Sequence, residues 1–117
     1  MTGRYRLMVS GPMTGLPDCN YPEFCRVAKG LRMAGFAVEN PAENTSPLAA
    51  PSWSDWMRLS LAQLLRCHAL VMLPGWWKSR GARVEWLLAK ALGLDIYYPR
   101  DMRLLESLNW LVKEHGS

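Results

Sequence analysis

YRLMVSGPMTG, at residues 5–15, and ALVMLPG, at residues 69–75, are the two stretches that decide the fold of this chain. Each begins with a short, largely apolar run, and adjacent Gly and Pro residues follow that run directly and stop regular structure. Apolar runs of this length predict strands buried on both faces, as in parallel sheets. We therefore predict central strands at residues 5–10 and 69–73, each followed by a Gly/Pro-rich loop.

Helices with an apolar face separate the predicted strands. Apolar residues recur at helical spacing after residue 20, which predicts a helix from Tyr21 to Ala34, with Asn20 as its N-cap and Gly35 ending it. Residues 41–52 are rich in Pro, Ala, Ser and Asn, and a loop of this length is typical of a lid over a site. The other predicted elements are helices at about 53–67 (capped by Ser52 or Ser54), 81–92 and 104–115, and strands at 36–40 and 95–98.

The order of these elements, β-α-β-α-β-α-β-α, predicts an α/β fold with helices on both faces of a mostly parallel sheet. The expected architecture is a small flavodoxin-like or Rossmann-like three-layer sandwich. Its sheet has four to five strands in the order 2-1-3-4, in a single domain over residues 1–117. Ligands of such sheets bind at the carboxyl ends of the strands, where the strand order reverses. Loops 11–16 and 74–80 are therefore expected to form a small-molecule pocket.

Composition and charge argue against several functional classes. The 117 residues carry a formal net charge of +4, but the basic residues are scattered, whereas duplex-binding proteins concentrate them on one face. No apolar run approaches the roughly 18 residues that a membrane span needs, and no secretory signal is recognisable. The three cysteines match no zinc spacing. We therefore expect a cytoplasmic protein with reduced thiols and no metal or cofactor, whose partner is a small molecule rather than a membrane or duplex nucleic acid.

The segment after the third predicted strand carries residues suited to chemistry. Residues 79–81, Ser-Arg-Gly, lie at a predicted helix N-terminus, where backbone N–H groups and the helix dipole favour an anion. Glu85 follows about one turn later and could act as a nucleophile or a general base. The alternative is a solvated glutamate that pairs with Arg83 or Lys78. For the glycines after the first strand, a plain tight turn is the alternative to ligand binding.

Tryptophans are numerous, with six in the chain. Trp76 and Trp77 directly follow the third strand, so their flat rings could stack on a nucleobase. The alternative is that one of them covers the end of the sheet or a subunit contact. The others fall at helical spacing and are expected in the core or in a dimer interface, namely Trp53, Trp56, Trp86 and Trp110. We expect a homodimer or a larger homo-oligomer.

Several motifs occur together in one order along the chain: SGPMTGLP (10–17), NYPEF (20–24), VENPAEN (38–44), DWMR (55–58) and LPGWxxSxGAxxE (73–85). In these motifs the chain resembles a family of phage and bacterial proteins known mainly as a domain of unknown function. More distantly, it resembles the nucleoside 2-deoxyribosyltransferases and the 2′-deoxynucleoside 5′-phosphate N-hydrolases. The resemblance runs from about Arg6 to Ile96.

The resemblance to these enzymes implies an activity, namely a nucleotide N-glycosidase or deoxyribosyltransferase acting on a deoxynucleoside 5′-phosphate. Their glutamate attacks the anomeric carbon of deoxyribose and the free base leaves; Glu85 falls on that nucleophile. Ser79 falls where the N-hydrolases bind the 5′-phosphate, whereas the transferases carry an aspartate there, so Ser79 favours a nucleotide over a nucleoside. Ser10 and Gly11 fall in the loop that cradles sugar and phosphate. The other expected substrate contacts are Met13, Asn40, Ser60, Gly75, Trp76, Arg80 and Gly81.

The chain also departs from the pattern of these enzymes. They carry an aspartate that assists the leaving base, and Ser60 stands at that position here. A serine has no accessible pKa near 7 and is a poor acid. Asp55 or Arg58, one turn earlier, is the alternative proton donor. The family pattern Cys-Asp before the third strand is Cys67-His68 here, and His68 is expected to pack at the strand start. A non-catalytic nucleotide-binding or sensor module on the same fold is therefore the alternative function.

Overall fold

A parallel sheet of four strands organises the molecule. The computed structural model describes residues 5–99. All three strand pairs are parallel, and the order is β2-β1-β3-β4, so the predicted α/β class and strand order are confirmed. The predicted helix at 104–115 lies outside the described residues. The strands are β1 (Arg6–Ser10), β2 (Ala37–Glu39), β3 (Ala69–Met72) and β4 (Asp95–Tyr97), and the helices are α1 (Tyr21–Met33), α2 (Trp53–Leu65) and α3 (Arg80–Leu92).

The two central strands divide the core between the two faces of the sheet, because successive side chains of a strand point to opposite sides. Leu7 and Val9 of β1 pack with the buried face of α1, whereas Met8 packs with buried residues of α2 and α3. Along β3, Val71 faces α1 and Met72 faces the other two helices. The result is the predicted three-layer sandwich, in which β1 and β3 are covered on both faces.

Capping explains where the helices begin. Ser52 accepts a hydrogen bond from the Asp55 amide, and the Asp55 side chain accepts one from the Ser52 amide, so the two form a capping box at the start of α2. The predicted capping role of Asn20 is wrong. Its backbone is left-handed (φ 61°) and makes no side-chain cap, because its amide donates instead to the Pro12 carbonyl at 2.9 Å. Asn20 thus ties the loop after β1 to the start of α1.

The connections contain more regular structure than the sequence predicts. Short 3-10 turns occupy Pro41–Glu43 and Trp76–Lys78, whereas the turn before α1 has a left-handed backbone at Asp18, Cys19 and Asn20 (φ 50°, 53° and 61°). The predicted strand at 36–40 shortens to three residues, because the 3-10 turn follows directly after Asn40. Among residues 5–99, no helix is both long and apolar enough to cross a membrane.

Candidate functional site

A cavity of about 870 Å³ opens at the carboxyl ends of β1 and β3, where the strand order reverses. Parallel strands bring the loops that follow them and the N-termini of the next helices to this one edge of the sheet. Eight of the predicted site residues line the cavity, namely Gly11, Met13, Ser60, Gly75, Ser79, Arg80, Gly81 and Glu85. Ser10 lies directly behind them, whereas Asn40 and Trp76 are not lining residues.

Glu85 is the central group of the site. It projects from the second turn of α3 and is only 6% exposed. The Ser10 hydroxyl, at the end of β1, donates a hydrogen bond to Glu85 Oε1 at 2.5 Å. None of the ion pairs among residues 5–99 includes Glu85, and Arg83 instead donates to the Trp77 carbonyl. The alternative of a solvated, ion-paired glutamate is therefore wrong.

The environment of this carboxyl group shifts its protonation. Burial raises the pKa of Glu85 because the charged form loses hydration, while hydrogen bonds from Ser10 and Ser60 act in the opposite direction and favour the carboxylate. Ser60 is 5% exposed, and its single hydroxyl proton is shared between two acceptors, the Glu85 carboxylate and the Met57 carbonyl, which lies 3.3 Å from Ser60 Oγ. Two hydroxyl groups thus lie beside a carboxyl group that is almost entirely buried. Groups with a shifted pKa of this kind concentrate at functional sites.

Three glycines allow the cavity its shape. A Cβ at Gly11 would lie 2.7 Å from Leu73 Cβ, so only glycine lets the loop after β1 pass this close to β3. Gly75 has a φ of 82°, which side-chain-bearing residues rarely adopt. A Cβ at Gly81 would lie 3.1 Å from Met57 Sδ, so the absence of a side chain lets α2 approach the first turn of α3.

The rim of the cavity beside Glu85 is cationic. Lys78 and Arg80 are exposed and line it. Between them, Ser79 is the N-cap of α3, and its side chain accepts a hydrogen bond from the Ala82 amide at 3.2 Å. The Arg80 guanidinium lies 3.7 Å from the centroid of the Trp53 ring. Positive side chains thus stand on one side of the buried carboxyl group.

Asn40 and Trp76 have structural roles that keep them out of the cavity. Asn40 is buried, and its Oδ1 accepts a hydrogen bond from the Ala42 amide, which caps the following 3-10 turn. The Trp76 ring stacks on Trp86 with centroids 5.6 Å apart and packs against the core beneath α3. Neither residue lines the cavity, and Trp77 does not line it either. That Asn40 and Trp76 contact substrate stays a prediction.

The alternative proton donors are also outside the cavity. Asp55 is held in the capping box of α2, and the hydrogen bonds from Ser52 lower its pKa. Arg58 pairs with Asp55 at 3.4 Å, and neither residue lines the cavity. His68 lies at the opposite end of the sheet, where its Nδ1 accepts a hydrogen bond from the Arg6 amide. Glu85 is therefore the only carboxyl group among the described lining residues.

The structure adds two aromatic side chains that sequence reasoning assigned to the core or to a dimer interface. Trp53 and Trp56, in the first turn of α2, are 38% and 39% exposed and line the cavity. Their position at the start of α2 could have shown that they lie at the cavity. A helix between two parallel strands runs antiparallel to those strands, so its first turn reaches the carboxyl edge of the sheet. Helical spacing shows which face of a helix is apolar, but it does not show that the first turn of α2 reaches the cavity.

No group of three or more His, Cys, Asp or Glu residues within residues 5–99 is arranged to hold a metal ion. The cysteines of this range are free, with Cys19 and Cys25 exposed and Cys67 buried. The groups available for chemistry in the cavity therefore include the buried carboxyl group, its hydroxyl neighbours and the cationic rim, together with the Cys19 thiol and the Tyr21 hydroxyl, which also line it.

Comparison with known proteins places the chain in a family. No curated protein matches it. A family model, described as a domain of unknown function (DUF4406), matches residues 5–98. That match includes all four strands, the three described helices and every described residue that lines the cavity. Because it covers well over half of the 117 residues, the chain belongs to the DUF4406 family.

Proposed function

We propose that this protein cleaves the N-glycosidic bond of a deoxynucleoside 5′-phosphate, with Glu85 as the nucleophile. The observation that carries the proposal is the Glu85 carboxyl group, which is buried, hydrogen-bonded to Ser10 and without a cationic partner among the described residues. It opens on a cavity with a cationic rim. The resemblance of the motif around Ser79 and Glu85 to deoxyribosyltransferases and N-hydrolases supports the same activity.

The reaction proceeds in two displacements. In the first, a carboxylate oxygen of Glu85 bonds to C1′ of the sugar while the C1′–N bond breaks, and the base leaves with the bonding electron pair and takes a proton from water. In the second, water attacks C1′, the ester bond to Glu85 breaks, and the proton of that water is released to solvent. Hydrolysis yields the free base and 2-deoxyribose 5-phosphate, whereas attack by a second base in place of water is transfer. Covalent catalysis of this kind divides one difficult step into two easier ones.

The cationic rim supports a phosphorylated substrate. Ser79 and the backbone N–H groups at the start of α3 lie beside Lys78 and Arg80. A helix N-terminus with adjacent basic side chains stabilises phosphate through charge-assisted hydrogen bonds. Arg80 is the first residue of the helix that carries Glu85, and Lys78 ends the 3-10 turn directly before that helix, so the rim lies five to seven residues before Glu85. A substrate with its phosphate at the rim would therefore present the neighbouring sugar to the carboxylate.

Ser60 favours a second candidate, a nucleotide-binding module without turnover. It stands beside Glu85 where the resembling enzymes carry an aspartate, and no other carboxyl group lines the cavity within residues 5–99. General acid–base assistance is worth roughly a hundred- to ten-thousand-fold in rate. Without a carboxylic acid to protonate the leaving base, we expect a slow enzyme, and a binding module without turnover is the extreme case.

Release of free base decides between these functions. Each common deoxynucleoside 5′-monophosphate and each free deoxynucleoside is incubated with the wild type, and products are separated by liquid chromatography. Glu85→Gln removes the nucleophile, and Glu23→Gln makes the same chemical change outside the cavity. Release that requires the phosphate, survives Glu23→Gln and disappears in Glu85→Gln supports the glycosidase. Tight nucleotide binding without release by folded wild-type protein would refute it in favour of the binding module.

A further inference from the structure

The first turn of α2 presents two aromatic side chains that fold stability does not explain. Trp53 and Trp56 are more than one-third exposed, and neither belongs to the buried clusters on the two faces of the sheet. Neither indole stacks on another aromatic ring of the described residues. Trp76 and Trp86, in contrast, stack on each other and pack against the core. Two large aromatic side chains therefore line an open cavity, and one face of the Trp53 ring is covered by the Arg80 guanidinium.

These indoles adjoin the cationic rim directly. A Cβ at Gly81 would lie 3.9 Å from Trp53 Nε1, which places the edge of that indole against the first turn of α3. The Arg80 guanidinium lies over the Trp53 ring at 3.7 Å. Lys78 and Glu85 line the same cavity. The cavity thus combines an aromatic wall, formed by Trp53 and Trp56, with positive side chains and one buried carboxyl group.

We infer that Trp53 and Trp56 form the subsite that holds the nucleobase. The identity of the occupant rests on the proposed function, since a deoxynucleotide combines a flat aromatic ring, a sugar and an anionic phosphate. Stacking on indole suits every base because each has a π-face, and Trp supplies that surface with few rotatable bonds. The rim binds the phosphate, Glu85 meets the sugar, and the base lies against the indoles of α2.

Calorimetric titration of Glu85→Gln, in which the nucleophile is absent, tests the subsite. The probes are the deoxynucleoside 5′-monophosphates and 2-deoxyribose 5-phosphate, which shares their sugar and phosphate but has no base. Adding Trp56→Ala should weaken deoxynucleotide binding roughly 5- to 150-fold, the range expected for loss of one stacking partner. Binding of 2-deoxyribose 5-phosphate should change by less than about twofold, because no stack is lost.

Two further substitutions keep the test independent of folding. Trp56→Phe retains an aromatic ring and should keep most of the deoxynucleotide affinity. Trp77→Ala removes an exposed indole that does not line the cavity, and it should leave the affinity for both probes unchanged. Equal losses for both probes on Trp56→Ala, or no loss for either, would overturn the subsite.

The outcomes for the subsite and for the proposed function are separable. Base-dependent binding that falls in Trp56→Ala, together with no base release by the wild type, supports the subsite and refutes the glycosidase. Base release by the wild type with unchanged affinity in Trp56→Ala refutes the subsite alone. Failure of every deoxynucleotide to bind, without base release, overturns both.

Discussion

The hydrogen bond from Ser10 to Glu85 should stabilise the folded protein through the charge of the carboxylate. Ser10 is 1% exposed, and its hydroxyl donates to Glu85 Oε1 at 2.5 Å. A hydrogen bond to a charged group contributes about 1.5–3 kcal/mol, whereas one between neutral groups contributes about 0.5–1.5 kcal/mol. Ser10→Ala should therefore lower the free energy of unfolding by about 2 kcal/mol in the wild type and by about 1 kcal/mol in Glu85→Gln.

Urea unfolding of the four proteins of this double-mutant cycle measures the difference. The difference between the two costs should be about 1 kcal/mol at a pH high enough to ionise Glu85, which corresponds to roughly 4 °C in melting temperature for a domain of this size. Ser46→Ala is the matched control, because the Ser46 hydroxyl accepts a hydrogen bond from Leu48 in an exposed turn far along the chain from both residues. Its cost should be the same in both backgrounds.

If Ser10→Ala lowers the free energy of unfolding equally in the wild type and in Glu85→Gln, the reasoning is refuted, because the hydrogen bond would then gain nothing from the charge of the carboxylate. Acidification supplies a second check. When Glu85 binds a proton, the hydrogen bond becomes neutral and the difference between the two backgrounds should disappear.

Three further predictions concern the same region and its surroundings. Because burial raises the pKa of Glu85, its ionisation destabilises the folded state. Glu85→Gln should therefore melt higher than the wild type at neutral pH, with an advantage that fades as pH falls. Gly11→Ala forces a Cβ to 2.7 Å from Leu73 Cβ, so it should lower the free energy of unfolding by about 1–3 kcal/mol and also weaken nucleotide binding. In Gly35→Ala the new Cβ meets open space but the φ of 101° is strained, so this control should lower stability without changing nucleotide binding. Burial raises the pKa of Cys67 to about 12, so a thiol reagent should label only the other two cysteines until urea unfolds the protein.

Each of these predictions has an opposing result. A melting-temperature advantage of Glu85→Gln that grows on acidification would mean that the folded state favours the carboxylate. Equal loss of nucleotide affinity in Gly11→Ala and Gly35→Ala would mean that binding follows global stability rather than the shape of the loop after β1. Rapid labelling of Cys67 in the native protein would mean that the end of α2 opens readily.

The positions of Glu85 and Ser79 follow from the sequence because both depend on regular structure. Strand β3, the Pro74–Gly75 break and the helical spacing of α3 fix where the first turns of that helix lie. The burial of Glu85 could not be derived in this way, because it depends on Ser10 and Ser60, which come from β1 and α2. Contacts between distant segments leave no periodic signal in a single sequence.

Side-chain directions that depend on turns could not be derived from the sequence. Trp76 directly follows β3 and was expected to face a ligand, but the left-handed backbone of Gly75 starts a 3-10 turn that carries the ring to Trp86. Asn40 precedes a 3-10 turn that uses its side chain as a cap. Trp53 was assigned by helical spacing, which does not show which end of α2 reaches the cavity. The proposed homo-oligomer stays a prediction.

Ser10 belongs to the sheet and to the site at the same time. Its carbonyl accepts a hydrogen bond from the Leu73 amide at 2.7 Å, which extends the pairing of β1 with β3, while its hydroxyl holds Glu85. The Glu85 side chain is thereby anchored to two regular elements, because it projects from α3 and its carboxyl group accepts a hydrogen bond from β1. The aromatic wall and residues 41–52 adjoin each other in a segment of the chain that contains neither Ser10 nor Glu85. Glu85 is thus held by α3 and β1, whereas Trp53 and Trp56 come from α2, so a substitution in the first turn of α2 leaves the hydrogen bond from Ser10 to Glu85 in place.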